Sequence, residues 1–170
     1  DPDRGLTALG REAVRRMQRL NILPDVSHTS DRSLWDIMDL AEGPVIASHS
    51  NCRALCDVRR NLTDEQLRAI RDTGGVVGVN VSHDFVHKEP RQQTAAMLAR
   101  HAAHMAEVMG PEHVACGFDF CEYFGPGYEG CEGMEDCGQA QNFFFELERI
   151  GFSEAERQAI ASENLLRVLE

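Results

Sequence analysis

The 170-residue sequence has no run of about 18 apolar residues, the length a membrane-spanning helix requires, so no span is expected. It has no Cys-x-x-Cys pair, which removes a zinc ribbon and a thioredoxin-type redox centre. Basic residues are few: 17 Lys+Arg face 28 Asp+Glu, a formal charge of −11. Neutralising a phosphate backbone needs the opposite balance, so no nucleic-acid partner is expected. No initiator Met and no charged-then-apolar leader stand at the start, which runs Asp1-Pro2-Asp3-Arg4. That opening reads as a processed chain or a piece of a longer one. The expected location is cytoplasmic, of a bacterial type, with a signal lost upstream as the alternative.

What is present suits a single unit. With 42% hydrophobic residues, the chain can bury a core without disulfide staples. The six cysteines Cys52, Cys56, Cys116, Cys121, Cys131 and Cys137 are therefore read as reduced thiols. A disulfide or metal site in the Gly-rich stretch holding Cys121, Cys131 and Cys137 is the alternative.

Apolar spacing predicts a helix over about 7–20, ended by Asn21. Ile22 to Ser27 and Val45 to Ser48 read as buried strands, with a Ser30-capped helix between them that Gly43-Pro44 breaks. Thr63 and Gln66 form a capping box. Strands are expected over Val76–Val81 and Val114–Phe118, with a long helix from Ala95 to Met109 between them. A loop from Glu122 to about Gly138 follows, then a helix from Phe143 to Ile150. A second capping box at Ser153 and Glu156 opens the terminal helices. The strands are continuous apolar runs, as in a parallel sheet covered on both faces. The expected fold is α/β, four parallel βα units, which make either a small open sheet or half of a (β/α)8 barrel.

Polar residues cluster where those strands end. His28 follows the first strand, His49 the second, and Asp119 the fourth. In such folds the C-terminal strand ends carry the active site. Neutral imidazole is a common zinc ligand, and a nearby carboxylate orients it or moves protons. Two histidines and an aspartate on one rim point to a metal-dependent hydrolase, against the blander reading of hydrogen-bonding loop histidines. Arg59-Arg60-Asn61 follows the second strand. On such a rim an arginine suits a carboxylate, because it stays charged and binds bidentately; alone, the pair is a solvated surface feature. His83 and His87 follow the third strand and could line the same pocket. His113 stands at the wrong end of the fourth. His101 and His104 lack a His-Glu-x-x-His frame and are expected as exposed helix residues. Gly74-Gly75 is turn chemistry, since no Lys-Ser/Thr follows it.

Several blocks, in this order, resemble the renal (membrane) dipeptidases, peptidase family M19. They are Gly5-Leu6-Thr7 with Gly10, and Arg19-Leu20-Asn21-Ile22-Leu23-Pro24-Asp25-Val26-Ser27-His28. Next come Pro44-Val45-Ile46-Ala47-Ser48-His49-Ser50 and Arg59-Arg60-Asn61-Leu62. Gly117-Phe118-Asp119-Phe120 and the closing Glu163-Asn164-Leu165-Leu166-Arg167-Val168 complete the set. The resemblance implies a (β/α)8 TIM-type barrel with two zinc ions per active site, joined by a bridging carboxylate and a hydroxide. It implies hydrolysis of dipeptides by that metal-bound hydroxide, often with a D-residue tolerated on the C-terminal side.

Carried over by position, His28 and His49 resemble two ligands of the second zinc. Arg60 resembles the residue that grips the dipeptide's free carboxylate. Asp119 resembles the aspartate that orients or relays protons for the hydroxide. The family's His-x-Asp pair, bridging Glu and a catalytic His of the first half have no match. Residues 1–170 therefore resemble the C-terminal half-barrel, strands five to eight. Cys121-Glu122 also stands where the family has Asp-Gly.

The implied partners are a dipeptide substrate and either a second copy or the missing half-barrel; fewer zinc ions, or none, are expected for these residues alone. The alternative is a non-catalytic half-barrel that serves assembly or binding. A response-regulator-like module would want an acidic cluster ending its first strand, where this chain has a histidine.

Overall fold

The computed structural model describes residues 4–170; the Asp1-Pro2-Asp3 opening lies outside them. Helix α1 (Ala8–Arg19) starts where the Thr7 hydroxyl accepts the Gly10 N–H at 3.1 Å. It ends before Asn21, whose φ of 55° is the left-handed turn expected there. Ser30 caps α2 (Asp31–Met38), and the Thr63–Gln66 box caps α3 (Asp64–Asp72). Strand β1 (Val77–Asn80), the short α4 (His83–Val86), α5 (Ala95–Met109) and β2 (Val114–Phe118) follow. Helix α6 (Gln141–Arg149) begins earlier than expected. The C-terminal run is α7 (Glu154–Gln158), a π-helical turn (Ala159–Glu163) and α8 (Asn164–Leu169).

Among the described residues only β1 and β2 pair as strands, in parallel, with Val77 opposite Val114. The two earlier expected strands shrink to single parallel bridges, Asp25 with Ile46 and Ala47 with Val77. The reason is local. Pro24 has no N–H to give, and Gly43-Pro44 delays the second segment, so each contributes about one ladder step. Those steps are well made: Ile46 N–H donates to Pro24 O at 3.0 Å, Val26 N–H to Ile46 O at 2.8 Å, and Gly78 N–H to Ala47 O at 2.8 Å. The four segments thus lie side by side in chain order, and their C-terminal ends point the same way.

One face of this layer carries Val77, Val79, Val81 and Val114. They pack with Leu67 and Ile70 of α3 and Leu98, Ala102 and Met105 of α5 in one buried cluster. The other face carries Val76 and Ala115, covered at its lower end by Val168 of α8. Asn164 ties α8 down. It is 5% exposed, and its Nδ2 donates to Pro111 O and Val114 O, both at 2.8 Å. Asn164→Ala strands both carbonyls. The expected loss is about 2 kcal/mol, read as a lower urea midpoint with unchanged slope.

Candidate metal and substrate site

The chain after the first bridge turns at once. Asp25 Oδ1 accepts the Ser27 N–H at 3.0 Å, and Thr29 N–H donates to Val26 O at 3.1 Å, which swings His28 outward. After the second bridge, His49 N–H donates to Ser27 Oγ at 2.9 Å and Ser50 N–H to Gly78 O at 2.7 Å. His49 is thereby held between the first segment and β1. The two rings meet with Nε2 to Nε2 at 2.8 Å and centroids 4.9 Å apart.

Asp119 reaches the same point from β2. Phe118 and Asp119 have φ of 28° and 64°, a conformation that β-carbon-bearing residues avoid. The Phe118 ring is anchored against Phe143 at 5.4 Å, and its carbonyl accepts the Val81 N–H at 2.8 Å. That kink turns the Asp119 carboxylate to 3.7 Å from His49 Nε2 and 3.2 Å from Asn80 Nδ2. Asn80 is itself fixed, exchanging two bonds with Asn51: its N–H donates to Asn51 Oδ1 at 3.0 Å, and its carbonyl accepts Asn51 Nδ2 at 2.8 Å.

Arg60 closes the group. Its Nη1 donates to Ser50 Oγ and its Nη2 to His49 O, each at 2.8 Å, and Nη2 stands 3.4 Å from His28 Nε2. The guanidinium lies 5.5 Å from the Phe85 ring centre, and its buried Nε has no acceptor. Burial lowers the Arg60 pKa against the pull of Asp119 and Asp25, but a guanidinium stays charged at any physiological pH. Burial also lowers the His49 pKa. Asp119 pulls it up, while Arg60 and His28 push it further down, so His49 is neutral and able to ligate.

The structure therefore brings His28, His49, Arg60 and Asp119 to one rim. The other histidines have partners of their own. His83 Nδ1 pairs with the adjacent Asp84 at 3.0 Å, and His87 Nδ1 accepts the Glu89 N–H at 2.9 Å. The expectation that His101 and His104 are exposed is wrong. His101 is 0% exposed on the core face of α5, and His104 Nε2 is 2.8 Å from Asp64 Oδ1. All six cysteines are free thiols, and Cys121 Sγ lies 3.8 Å from Asp119 Oδ1.

Sequence reading overlooked Asp25, Ser48, Asn51 and Asn80. The signal that could have found them is their position, since each lies within three residues of the C-terminal end of an expected strand.

The donor set suits a borderline-soft divalent metal such as zinc, which takes imidazole and carboxylate together. Two imidazoles on one tetrahedral zinc stand about 3.3 Å apart at Zn–N distances near 2.0 Å, so a small opening of the 2.8 Å pair admits the ion. Among the described residues, no group of three or more His, Cys, Asp and Glu side chains surrounds one point. The residues present thus fit part of a metal's ligand shell.

Solved structures with this fold place the chain among α/β metallopeptidases. A metallopeptidase from Rhodobacter sphaeroides, liganded with a phosphinate mimic of the dipeptide L-Ala-D-Ala, superposes with a TM-score of 0.88 at 31% identity. The match covers 99% of this chain and 48% of that one. The dipeptidase AC, a metallopeptidase of family M19, gives 0.88 at 32% identity, covering 100% and 49%. The sequence pattern of the membrane dipeptidases, peptidase family M19, matches residues 1–170, and the chain belongs to that family. An uncharacterized protein of the pqqA 5′ region in Klebsiella pneumoniae is 36% identical over all of this chain and 62% of its own length. An uncharacterized dipeptidase of Schizosaccharomyces pombe is 36% identical over 98% of this chain and 40% of its own length. The chain thus spans about half the length of the relatives it matches.

Proposed function

We propose that these residues carry one side of a zinc dipeptidase centre, as the C-terminal half of a (β/α)8 barrel. The observation that carries this reading is the meeting of the His28 and His49 Nε2 atoms at 2.8 Å on a strand-end rim with Arg60 and Asp119, in a member of the dipeptidase family. His28 and His49 would hold the metal. Bound there, zinc supplies Lewis-acid activation of water and of the scissile carbonyl. Arg60 has five N–H donors, and its bonds to Ser50 and His49 leave others for the free carboxylate of a dipeptide. Asp119, held by Asn80, takes or returns the proton of the attacking water. The remaining ligands come from outside the described residues, through a second copy or the other half of the barrel. The Rhodobacter sphaeroides relative, with its L-Ala-D-Ala mimic, supports a dipeptide with a C-terminal D-residue as substrate.

The test is a chimera in which these 170 residues replace the matching part of that relative. It is expected to bind zinc and to hydrolyse L-Ala-D-Ala. Arg60→Ala should then raise KM roughly 30- to 150-fold, the loss of a charged carboxylate contact worth about 2–3 kcal/mol, with kcat changed much less. A folded chimera without hydrolysis supports the non-catalytic half-barrel. An unchanged KM removes Arg60 from the carboxylate site.

A further inference from the structure

A neutral histidine has one ring proton, and only the bare nitrogen ligates a metal. Which nitrogen of His49 is bare follows from its neighbours. Asp25 Oδ1 accepts two backbone N–H groups, from Ser27 and Ser48, each at 3.0 Å. Asp25 Oδ2 lies 2.5 Å from Ser48 Oγ. Desolvation raises the Asp25 pKa, but the bonds from Ser48 and Ser27 outweigh it and hold the group ionised. An ionised carboxylate only accepts, so the short bond uses the single hydroxyl proton of Ser48. Ser48 Oγ also stands 2.7 Å from His49 Nδ1. With its own proton spent, the hydroxyl accepts there, and the proton between them belongs to Nδ1.

We propose that Asp25 and Ser48 are positioning residues that lock His49 in its Nδ1–H form and so present a bare Nε2 to the metal. The inference rests on the reading of His49 as a ligand. It makes the two histidines unequal. His49 is set before metal arrives.

The experiment is nitrogen-15 NMR of the histidine side chains in the metal-free chain, followed by zinc chloride titration of the chimera described above, which supplies the remaining ligands. Wild-type His49 is expected protonated on Nδ1, with its Nε2 resonance shifting on zinc addition. In Asp25→Asn the amide N–H₂ donates to Ser48, the hydroxyl turns its proton toward His49, and the ring is expected to change to the Nε2–H form. Zinc affinity should then fall 10- to 100-fold, the usual range for losing such a supporting partner. Ser48→Thr keeps the hydroxyl and should retain the wild-type tautomer and affinity. Wild-type His49 protonated on Nε2, or an Nδ1–H form surviving in Asp25→Asn, overturns the lock. An Nδ1–H His49 whose Nε2 ignores zinc leaves the lock standing and removes the ligand reading beneath it.

Discussion

Gly117→Ala is expected to displace His49 and to destabilise the chain by about 3 kcal/mol, the upper end of the usual overpacking range. A β-carbon built on Gly117 would stand 1.9 Å from Ser48 O and 2.9 Å from His49 Cα. Gly78, beside it on β1, would put a β-carbon 2.2 Å from Ser48 O and 2.8 Å from Gly117 Cα. The obstacles are backbone atoms, which cannot swing aside as the end of a long side chain can. The two glycines thus form the floor on which the Ser48–His49 segment rests. Adding one methyl group forces that segment up and away from His28. The expected readout is a lower urea midpoint together with altered His49 ring resonances. Gly43→Ala is the control, since nothing lies within 4 Å of a β-carbon there; it should stay within about 0.5 kcal/mol of wild type. Gly117→Ala with wild-type stability and an unmoved His49 would show that the floor yields.

The gathering of His28, His49 and Asp119 was legible because each ends a continuous apolar run, and parallel runs place their ends on one rim. The extent of pairing was less so. Apolar content marks a segment as buried but does not count its ladder bonds, and Pro24 limits the first segment to a single bridge with Ile46. The supports of the site were not legible at all. Asp25, Ser48 and Asn80 act through contacts across 23 to 39 residues, and no local periodicity reports such distances. His101 was misread for a different reason. It lacks a recognised motif, yet it lies three residues after Leu98 and four before Met105, on the stripe that α5 buries. Its polarity suggested solvent, while its spacing placed it in the core. The structure satisfies both by giving the ring two buried partners.

Those partners make His101 the residue by which acid should loosen this fold. Nδ1 accepts the Cys52 N–H at 3.0 Å, so it carries no proton, and Nε2 donates to Val86 O at 2.8 Å. A second proton would have to sit on Nδ1, against the Cys52 donor and away from water. Burial is the main reason the folded pKa drops from 6.5 to about 4; His104 and His87 push the same way, and the Val86 bond opposes them. Above pH 6.5 neither state holds the extra proton, and stability is flat in this group. Between 6.5 and about 4 the unfolded chain takes up a proton that the folded one refuses. Stability therefore falls with pH across that window, by at most about 3 kcal/mol. His101→Gln isolates the effect. Its amide can accept from Cys52 and donate to Val86, but it does not titrate. Urea midpoints measured from pH 7.5 to 4.5 should drop more steeply in the wild type than in His101→Gln. Parallel curves would mean that the acid sensitivity lies in other groups. The residual slope in the variant then reports the other titrating groups of the chain.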